Sequence, residues 1–412
     1  MPKKAAKKGI LDGVRIVEIA FYVAVPTAGR VLAALGAEVI TVQSINALEQ
    51  TWLAPPYAPG LLMRNVLLGK RSLSLNLEDP RGQEILRKLL NKSDVFMTNM
   101  RRDSLAKRGI DFDQLRKVKQ DLIVLWQTAF GSSGPHSDHK AYGMLVQYSS
   151  GVTLMSGSPE RPAVTDPPYC DLHTGMFCAL AILGALHKRR RTGEGSLIEC
   201  VLNDAGVLTV GPALLNYQAN GTLPIRMENK DPYAAPHGAY PCKGYDRWCT
   251  IAVFTDSEWA SFCQVLGNPA WTKRTEFQTL ADRLRNVDEL DRLVAEWTIS
   301  SEAAEVMERM QQAGVPAGIV AQGQDLCNSE HLKSRGYYKD VKYITPEFGK
   351  PGPEWAEAGP TICISDPIHF SETTCRFAGM PKIGQDTEYV CGKLLGMPHG
   401  EIEALTKQGV LV

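Results

Sequence analysis

Asp171-Leu172-His173-Thr174-Gly175, at the head of a long apolar run, is where this chain most clearly holds groups able to do chemistry. A carboxylate at a helix start has two uses. As an N-cap it accepts backbone N–H groups, and Asp is among the preferred caps. Presented to a ligand, the same position lets the helix dipole favour the anion, which predicts a pKa at or below the ordinary ~3.9. An anion of that kind can act as a nucleophile. Gly175, one turn on, leaves room for a ligand or for a closely packed helix. His173 is placed either to touch substrate or to pack between helices. His136-Ser137-Asp138-His139 offers a second pair of imidazoles, but it lies in a Gly/Ser/Pro-rich loop without further ligands, so no metal is expected there.

The helix that must carry Asp171 runs over 172–191 and ends in His187-Lys188-Arg189-Arg190-Arg191, with Gly193 beyond. Cations in the last turn complement the helix dipole, and the glycine suits a left-handed cap. Such a helix is roughly 30 Å long, and its almost continuous apolarity predicts burial on most sides.

Upstream, residues 1–130 alternate strand-like and helix-like segments, the pattern of a parallel sheet with helices packed on it. Strands are expected at 14–19, 38–42, 72–77, 95–98 and 122–127. Pro26 suits the first turn of a helix reaching Leu35 and closed by Gly36. Asp79-Pro80 reads as a cap followed by a first-turn proline, opening a helix over 80–91. The basic stretch 100–119 reads as helical. No G-x-G-x-x-G or G-x-x-x-x-G-K-[ST] follows any of these strands, so neither NAD nor ATP is expected.

Residues 221–235 are rich in Pro, Gly and Asn, as a linker is, and a smaller α+β domain is expected after them. Strands at 240–243 and 248–254, a capping box Thr255-Asp256-Ser257-Glu258 opening a helix over 258–266, and helices over 284–297 and 303–313 make it up. Gly314-Val315-Pro316-Ala317-Gly318 ends it. Strand-like pieces at 362–364 and 367–370 and a last helix over 386–395 follow. The expected domains are 1–220, 221–330 and 331–412.

The 412 residues are 44% hydrophobic, enough for more than one core, and 45 basic residues balance 45 acidic ones. That balance points away from nucleic acid and anionic membranes and toward a small-molecule partner. The ten cysteines form no C-x-x-C and no zinc-ligand spacing, so they read as reduced thiols of a cytoplasmic protein. The lysine-rich residues 1–9 read as a frayed tail rather than a signal peptide. The longest apolar run, 176–186, falls short of the roughly 18 residues that a membrane span needs.

Several strings together resemble the class III CoA-transferases. They are Leu11-Asp12-Gly13-Val14-Arg15-Ile16-Val17-Glu18, Leu35-Gly36-Ala37-Glu38-Val39-Ile40, Gly69-Lys70-Arg71-Ser72-Leu73-Ser74-Leu75-Asn76, Asp171-Leu172-His173-Thr174-Gly175, Gly193-Glu194-Gly195 and Gly384-Gln385-Asp386-Thr387. Their order is kept over nearly the whole chain. Ala235-Pro236-His237-Gly238-Ala239-Tyr240-Pro241-Cys242-Lys243-Gly244 and Asp246-Arg247-Trp248-Cys249 are most similar to the benzylsuccinate-type branch.

The resemblance implies an α/β fold: a Rossmann-like large domain formed by both ends of the chain, an inserted small α+β domain, and an interlocked dimer enclosing linkers near 200–235 and 315–360. It makes Asp171 the catalytic nucleophile, passing through an aspartyl anhydride and an aspartyl-CoA thioester, with no tightly bound cofactor and with CoA thioesters as substrates. It places Tyr22, Val23, Arg71, Leu73, Asn99, Met100, Lys107, Lys140 and Tyr142 at CoA-contacting positions. A succinyl-CoA donor and a benzylsuccinate-like aromatic or dicarboxylic acceptor are the implied substrates. The chain departs from the family at Thr41-Val42-Gln43-Ser44, where Lys-x-Glu is common, and it has no poly-glycine loop, a role the resemblance leaves to 229–238. Two other readings stand beside this one. An α-methylacyl-CoA racemase would need a histidine where Tyr142 stands, and a tyrosine is a poor base at pH 7. A partner subunit of a hetero-oligomeric transferase could lack the aspartate, which this chain keeps.

Overall fold

The computed structural model describes residues 8–43, 65–160, 168–223, 225–346, 355–365 and 367–411. Residues 1–7 of the lysine-rich tail, Ser44 and 347–354 of the second expected linker lie outside them. The chain divides into two compact units, one of residues 1–153, 165–222 and 334–412, the other of 154–164 and 223–333.

The first unit is built on β1 (Arg15–Ile19), α1 (Ala24–Ala34), β2 (Glu38–Gln43), β3 (Arg71–Ser74), α2 (Pro80–Asn91), β4 (Val95–Thr98), α3 (Arg102–Lys107), α4 (Phe112–Val118), β5 (Ile123–Thr128), α5 (Gly143–Ser149), α6 (Tyr169–Thr192), β6 (Leu197–Val201), α7 (Leu202–Thr209) and α8 (Gly211–Asn220). The strands form one parallel sheet in the order β3-β2-β1-β4-β5-β6, the doubly wound dinucleotide-fold order. Side chains alternate across the pleat, and both faces are covered. Ile16, Val39, Val95, Met97, Ile123 and Leu125 meet α1 and α6 on one face. Val17, Ile40, Leu73, Phe96 and Val124 meet α2, α3, α4 and the C-terminal segment on the other. Each such aliphatic side chain, fully buried, contributes roughly 1.5–3 kcal/mol.

Local signals act as their chemistry dictates. The Asp79 side chain accepts from the Arg81 N–H at the start of α2, and Gly193 closes α6 in the left-handed region at φ +75°. By length and composition α6 is apolar enough to cross a membrane. One side of it belongs to the core, where Cys178, Ala179, Ile182 and Ala185 are buried against α1 and the sheet, while Leu172, Met176 and Leu180 are exposed, which corrects the expectation of burial on most sides.

In the second unit β7 (His237–Pro241), β8 (Trp248–Ala252) and β9 (Ala317–Ile319) form an antiparallel sheet in that order. α9 (Asp256–Val265), α10 (Leu280–Arg285), α11 (Val287–Thr298) and α12 (Ala303–Gln312) accompany it, and Thr255 and Glu258 make the expected capping box. Its core holds Phe262, Phe277, Leu290, Val294, Val306 and Met310. The wholly buried Arg283 donates to the Ala235 and Phe277 carbonyls and to Asp256, so its charge is satisfied.

α13 (Gly323–Asn328) and α14 (Glu330–Ser334) follow, then β10 (Tyr338–Pro346) and β11 (Trp355–Ile364), which pair antiparallel. A π-helical turn, Tyr389–Leu394, and α15 (His399–Lys407) return to the first unit, where the Asn76 N–H donates to the Val410 carbonyl.

Five local expectations are corrected. The third strand ends at Ser74: the Leu75 N–H still bonds the Gln43 carbonyl of β2, but the Asn76 N–H turns to the Val410 carbonyl of the C-terminal segment. The stretch 100–119 is two short helices broken at Gly109, which has φ +67°. Residues 202–220, expected within a linker, are α7 and α8. Residues 367–370 form no strand. A further helix, α15, follows the one expected at 386–395.

Candidate active site

The sheet order reverses between β1 and β4, and ligands of open α/β sheets bind in the crevice at the carboxyl ends of the strands at such a point. The turn after β1 carries Tyr22 at φ +60°, a left-handed conformation costing about 1–2 kcal/mol for a non-glycine residue. Asn99, just after β4, holds this turn from both sides. Its Oδ1 accepts from the Phe21 N–H at 2.9 Å and its Nδ2 donates to the Phe21 carbonyl at 2.7 Å. Val23 is buried at the start of α1. Met100 is tied in through its carbonyl, which accepts from Trp126 Nε1 at 2.8 Å.

Tyr22 packs edge-on against Tyr142, with ring centroids 5.3 Å apart. Tyr142 precedes α5, whose first residue, Gly143, lies directly against Asp171: a Cβ built on Gly143 would fall 1.5 Å from the Asp171 Oδ2. Tyr22, Asn99, Tyr142, Gly143 and Asp171 are thus linked by successive contacts. Gly175 completes the packing, since a Cβ there would meet the Ala24 carbonyl oxygen at 2.6 Å and Thr27 Cβ at 2.9 Å. Of the two readings of Gly175, the structure shows the close helix contact.

Asp171 is not the cap of α6. Pro168 occupies that position, Asp171 is the third residue of the helix, and the N–H of Cys170 is satisfied by the Gln147 Oε1 of α5 at 3.1 Å. Asp171 is only 9% exposed. No hydrogen-bond donor or cation meets it among the described residues, and desolvation pushes its pKa up to about 6. This corrects the expectation of ~3.9 or below: the carboxylate lacks the N–H contacts of a true cap, so burial outweighs the helix dipole. Burial also pushes the Cys170 thiol up, and the neighbouring Asp171 charge adds to this.

His173 lies in a ladder along α6 between Tyr169 and Phe177, with ring centroids 5.4 and 4.7 Å away, and its Nδ1 stands 3.5 Å from the Thr209 Oγ1 of α7. His136 and His139 stand beside each other, and no group of three metal-ligating side chains occurs among the described residues. Lys107 and Lys140 are exposed, with no ion-pair partner among the described residues. Arg71 is held otherwise: it bonds Glu38 at 2.9 Å and Asp386 at 2.7 Å and lies 4.1 Å over the Tyr389 ring. The Leu73 side chain is fully buried in the core, which leaves only its backbone to meet a ligand. Gly143 and Gln147 carried no signal in the sequence, because their importance comes from a helix 20 or more residues away.

A buried carboxylate, without a hydrogen-bond partner among the described residues, stands beside the switch point of a doubly wound α/β sheet. The profile of the CoA-transferase family III matches residues 11–387, and the chain belongs to that family. It is similar to the succinate–glutarate CoA-transferase of Agrobacterium fabrum, at 29% identity over 94% of this chain and 96% of that one. It is similar also to the succinyl-CoA–L-malate CoA-transferase beta subunit of Chloroflexus aurantiacus, at 27% identity over 97% and 98%. A CAIB/BAIF family protein of Brucella suis has the same fold, with TM-score 0.85 and 27% identity over 94% of this chain and all of that one. The chain is therefore a family III CoA-transferase, exchanging CoA between an acyl-CoA and an acid.

Proposed function

We propose that this enzyme transfers CoA from succinyl-CoA to a dicarboxylic or aromatic acid, benzylsuccinate among the candidates, with Asp171 as the covalent nucleophile. The observation that carries the mechanism is the Asp171 carboxylate itself: desolvated, without a hydrogen-bond partner among the described residues, and still mostly ionised at pH 7 with a pKa of about 6. A carboxylate so raised is a stronger nucleophile than one held by donors.

Asp171 attacks the donor thioester carbonyl, forming an acyl–aspartyl anhydride and releasing CoA thiolate. The thiolate attacks the aspartyl carbonyl, freeing the donor acid and leaving aspartyl-CoA. The acceptor carboxylate attacks that thioester, giving a second anhydride and thiolate, and the thiolate takes the acceptor acyl group. Asp171 is regenerated as the free carboxylate. One thioester replaces another, so the exchange draws on no ATP. Tyr22, Val23, Asn99, Met100 and Tyr142 border the CoA at the switch point, Arg71 and the Leu73 backbone line its outer side, and Lys107 and Lys140 pair with its phosphates. Binding energy from the nucleotide end helps to reach the strained anhydride.

Succinyl-CoA is favoured as donor because relatives carry it in their names; benzylsuccinate rests on the strings 235–244 and 246–249. A second copy of the chain covers an apolar face. Tyr169, Leu172, Met176 and Leu180 of α6 are exposed, as are Leu208 of α7 and Leu214, Leu215 and Tyr217 of α8, more than a monomer leaves to water. An interlocked dimer in the cytoplasm is the assembly proposed. The racemase reading is the weaker one, because a tyrosine stands where the racemase histidine would, and Tyr142 is 65% exposed and packs against Tyr22.

Incubation with succinyl-CoA and a panel of acids, followed by hydroxylamine and peptide mass analysis, tests the mechanism. A hydroxamate on Asp171 is expected; exchange without any adduct at Asp171 would sink it. Light scattering on the eluted enzyme tests the dimer.

A further inference from the structure

The nucleophile is held by a neighbouring helix rather than by its own helix end. We infer that α5 is the positioning element of this active site, with Gly143 reserving the space for the Asp171 carboxylate and Gln147 fixing the start of α6. The inference rests on the reading of Asp171 as the nucleophile and adds two positioning residues to it.

Gly143 is the sharper case. It opens a helix and its φ lies outside the left-handed region, so its backbone does not call for glycine, and alanine has the better helix propensity. What does call for glycine is Asp171. A Cβ at 143 would stand 1.5 Å from Oδ2, 2.5 Å from the carboxyl carbon and 3.0 Å from Oδ1, so any side chain there must turn the carboxylate away. Gln147 lies one turn further along α5 and is buried. Its Oε1 accepts from Cys170 N–H, a donor at a helix start that has no partner within the helix. Its shape and bond therefore fix the residue before Asp171.

Among the described residues the surroundings contribute no counter-charge. Gly143 and Gln147 face the start of α6 from α5, and Thr27 and the Ala24 carbonyl meet Gly175 from α1. From α7, Gly206 packs against Ser150 and the Cys170 thiol. That thiol is the titratable neighbour that feels the Asp171 charge.

The test compares Gly143→Ala, Gln147→Met and Asp171→Asn for kcat, KM for succinyl-CoA and the acid limb of the rate profile. A misplacement of about 1 Å can lower a rate about 100-fold. Gly143→Ala is expected to lower kcat by about 10- to 100-fold with little change in KM, and to move the acid limb to lower pH as the carboxylate turns toward water. Gln147→Met is expected to lower kcat about 10-fold with KM again unchanged. Asp171→Asn abolishes exchange. Native kcat and an unmoved limb in Gly143→Ala, with Asp171→Asn inactive, would overturn the positioning role and leave the nucleophile standing; full exchange by Asp171→Asn would remove the nucleophile instead.

Should Gly143→Ala fold poorly, the melting temperatures of Gly143→Ala, Asp171→Ala and the double variant carry the same question. Asp171→Ala removes the atoms that the new Cβ meets, so the shifts are expected to be non-additive. Additive shifts overturn the inference.

Discussion

Arg71 and Asp386, 315 residues apart in the chain, meet through guanidinium and carboxylate at 2.7 Å. Asp386 also accepts from the Ser72 N–H at 3.0 Å, Arg71 bonds Glu38, and Tyr389 lies under the guanidinium while donating its hydroxyl to Glu38. This network fastens the C-terminal segment to the edge strand β3, and it explains why an arginine expected to meet CoA is already occupied on two sides. Asp386→Ala should therefore lower stability by about 1–3 kcal/mol, since it removes charge-assisted bonds and leaves a strand N–H without its acceptor. Urea unfolding gives the number, and an unchanged midpoint would show the latch to be idle.

Glu18 and Lys70 form a wholly buried pair at 2.7 Å, with Lys70 also donating to the Pro26 carbonyl at 2.9 Å. Burial pushes Glu18 up and Lys70 down, and each partner opposes the other's shift. Gly29 lets α1 lie against them, since a Cβ there would stand 2.1 Å from Glu18 Oε2. Lys70→Met strands a carboxylate in the core and is expected to destabilise by about 3–5 kcal/mol. Glu18→Leu combined with Lys70→Met should recover most of that loss in thermal melts. A single substitution as mild as the double would argue against the pair.

With Asp171 as the proposed nucleophile, its protonation is expected to set the pH dependence. Its folded pKa of about 6 lies above the ordinary 3.8, so the protonated form is the one the fold favours. The stability this group contributes is present below pH 3.8 and is lost as pH rises through about 6. Asp171→Asn, of the same shape and uncharged, is expected to be more stable than the native enzyme at pH 8, by about 1–3 kcal/mol, and nearly equal to it at pH 4. The rate moves the opposite way: kcat/KM of the native enzyme should fall about tenfold per pH unit below about 6, as the nucleophile is protonated. Melting curves at the two pH values and a rate profile are the measurements.

Gly175 holds α6 against α1. Gly175→Ala would bring a methyl to 2.6 Å from the Ala24 carbonyl oxygen, backbone that cannot turn aside. A loss of about 1–3 kcal/mol is expected from overpacking, with a lower kcat because α6 carries Asp171. A variant with native melting temperature and rate would show that the helices separate freely.

The readable parts of the fold were those whose cause lies within a few residues. Asp79 caps α2 because its side chain reaches an N–H two residues on, Thr255 and Glu258 box α9 within one turn, and Gly193 ends α6 because the left-handed turn favours glycine. Short apolar runs likewise marked the central strands, which are buried on both faces. The misplaced pieces depend on distant partners. The third strand stops early where the Asn76 N–H turns to the Val410 carbonyl, and 202–220, expected within a linker, is helical with an apolar face left to water.

The active site divides in the same way. From the sequence alone came the family, the α/β alternation and Asp171 at the head of a long apolar helix, because order of motifs and periodicity are properties of the chain itself. Only the tertiary structure decided that Asp171 stands inside the first turn instead of capping it, that its carboxylate is raised by burial, that Gly143 makes its room, and that Asn99 holds the strained turn at Tyr22. Desolvation and van der Waals exclusion depend on every atom that fills the surrounding space, and those atoms come from helices and loops far away in sequence.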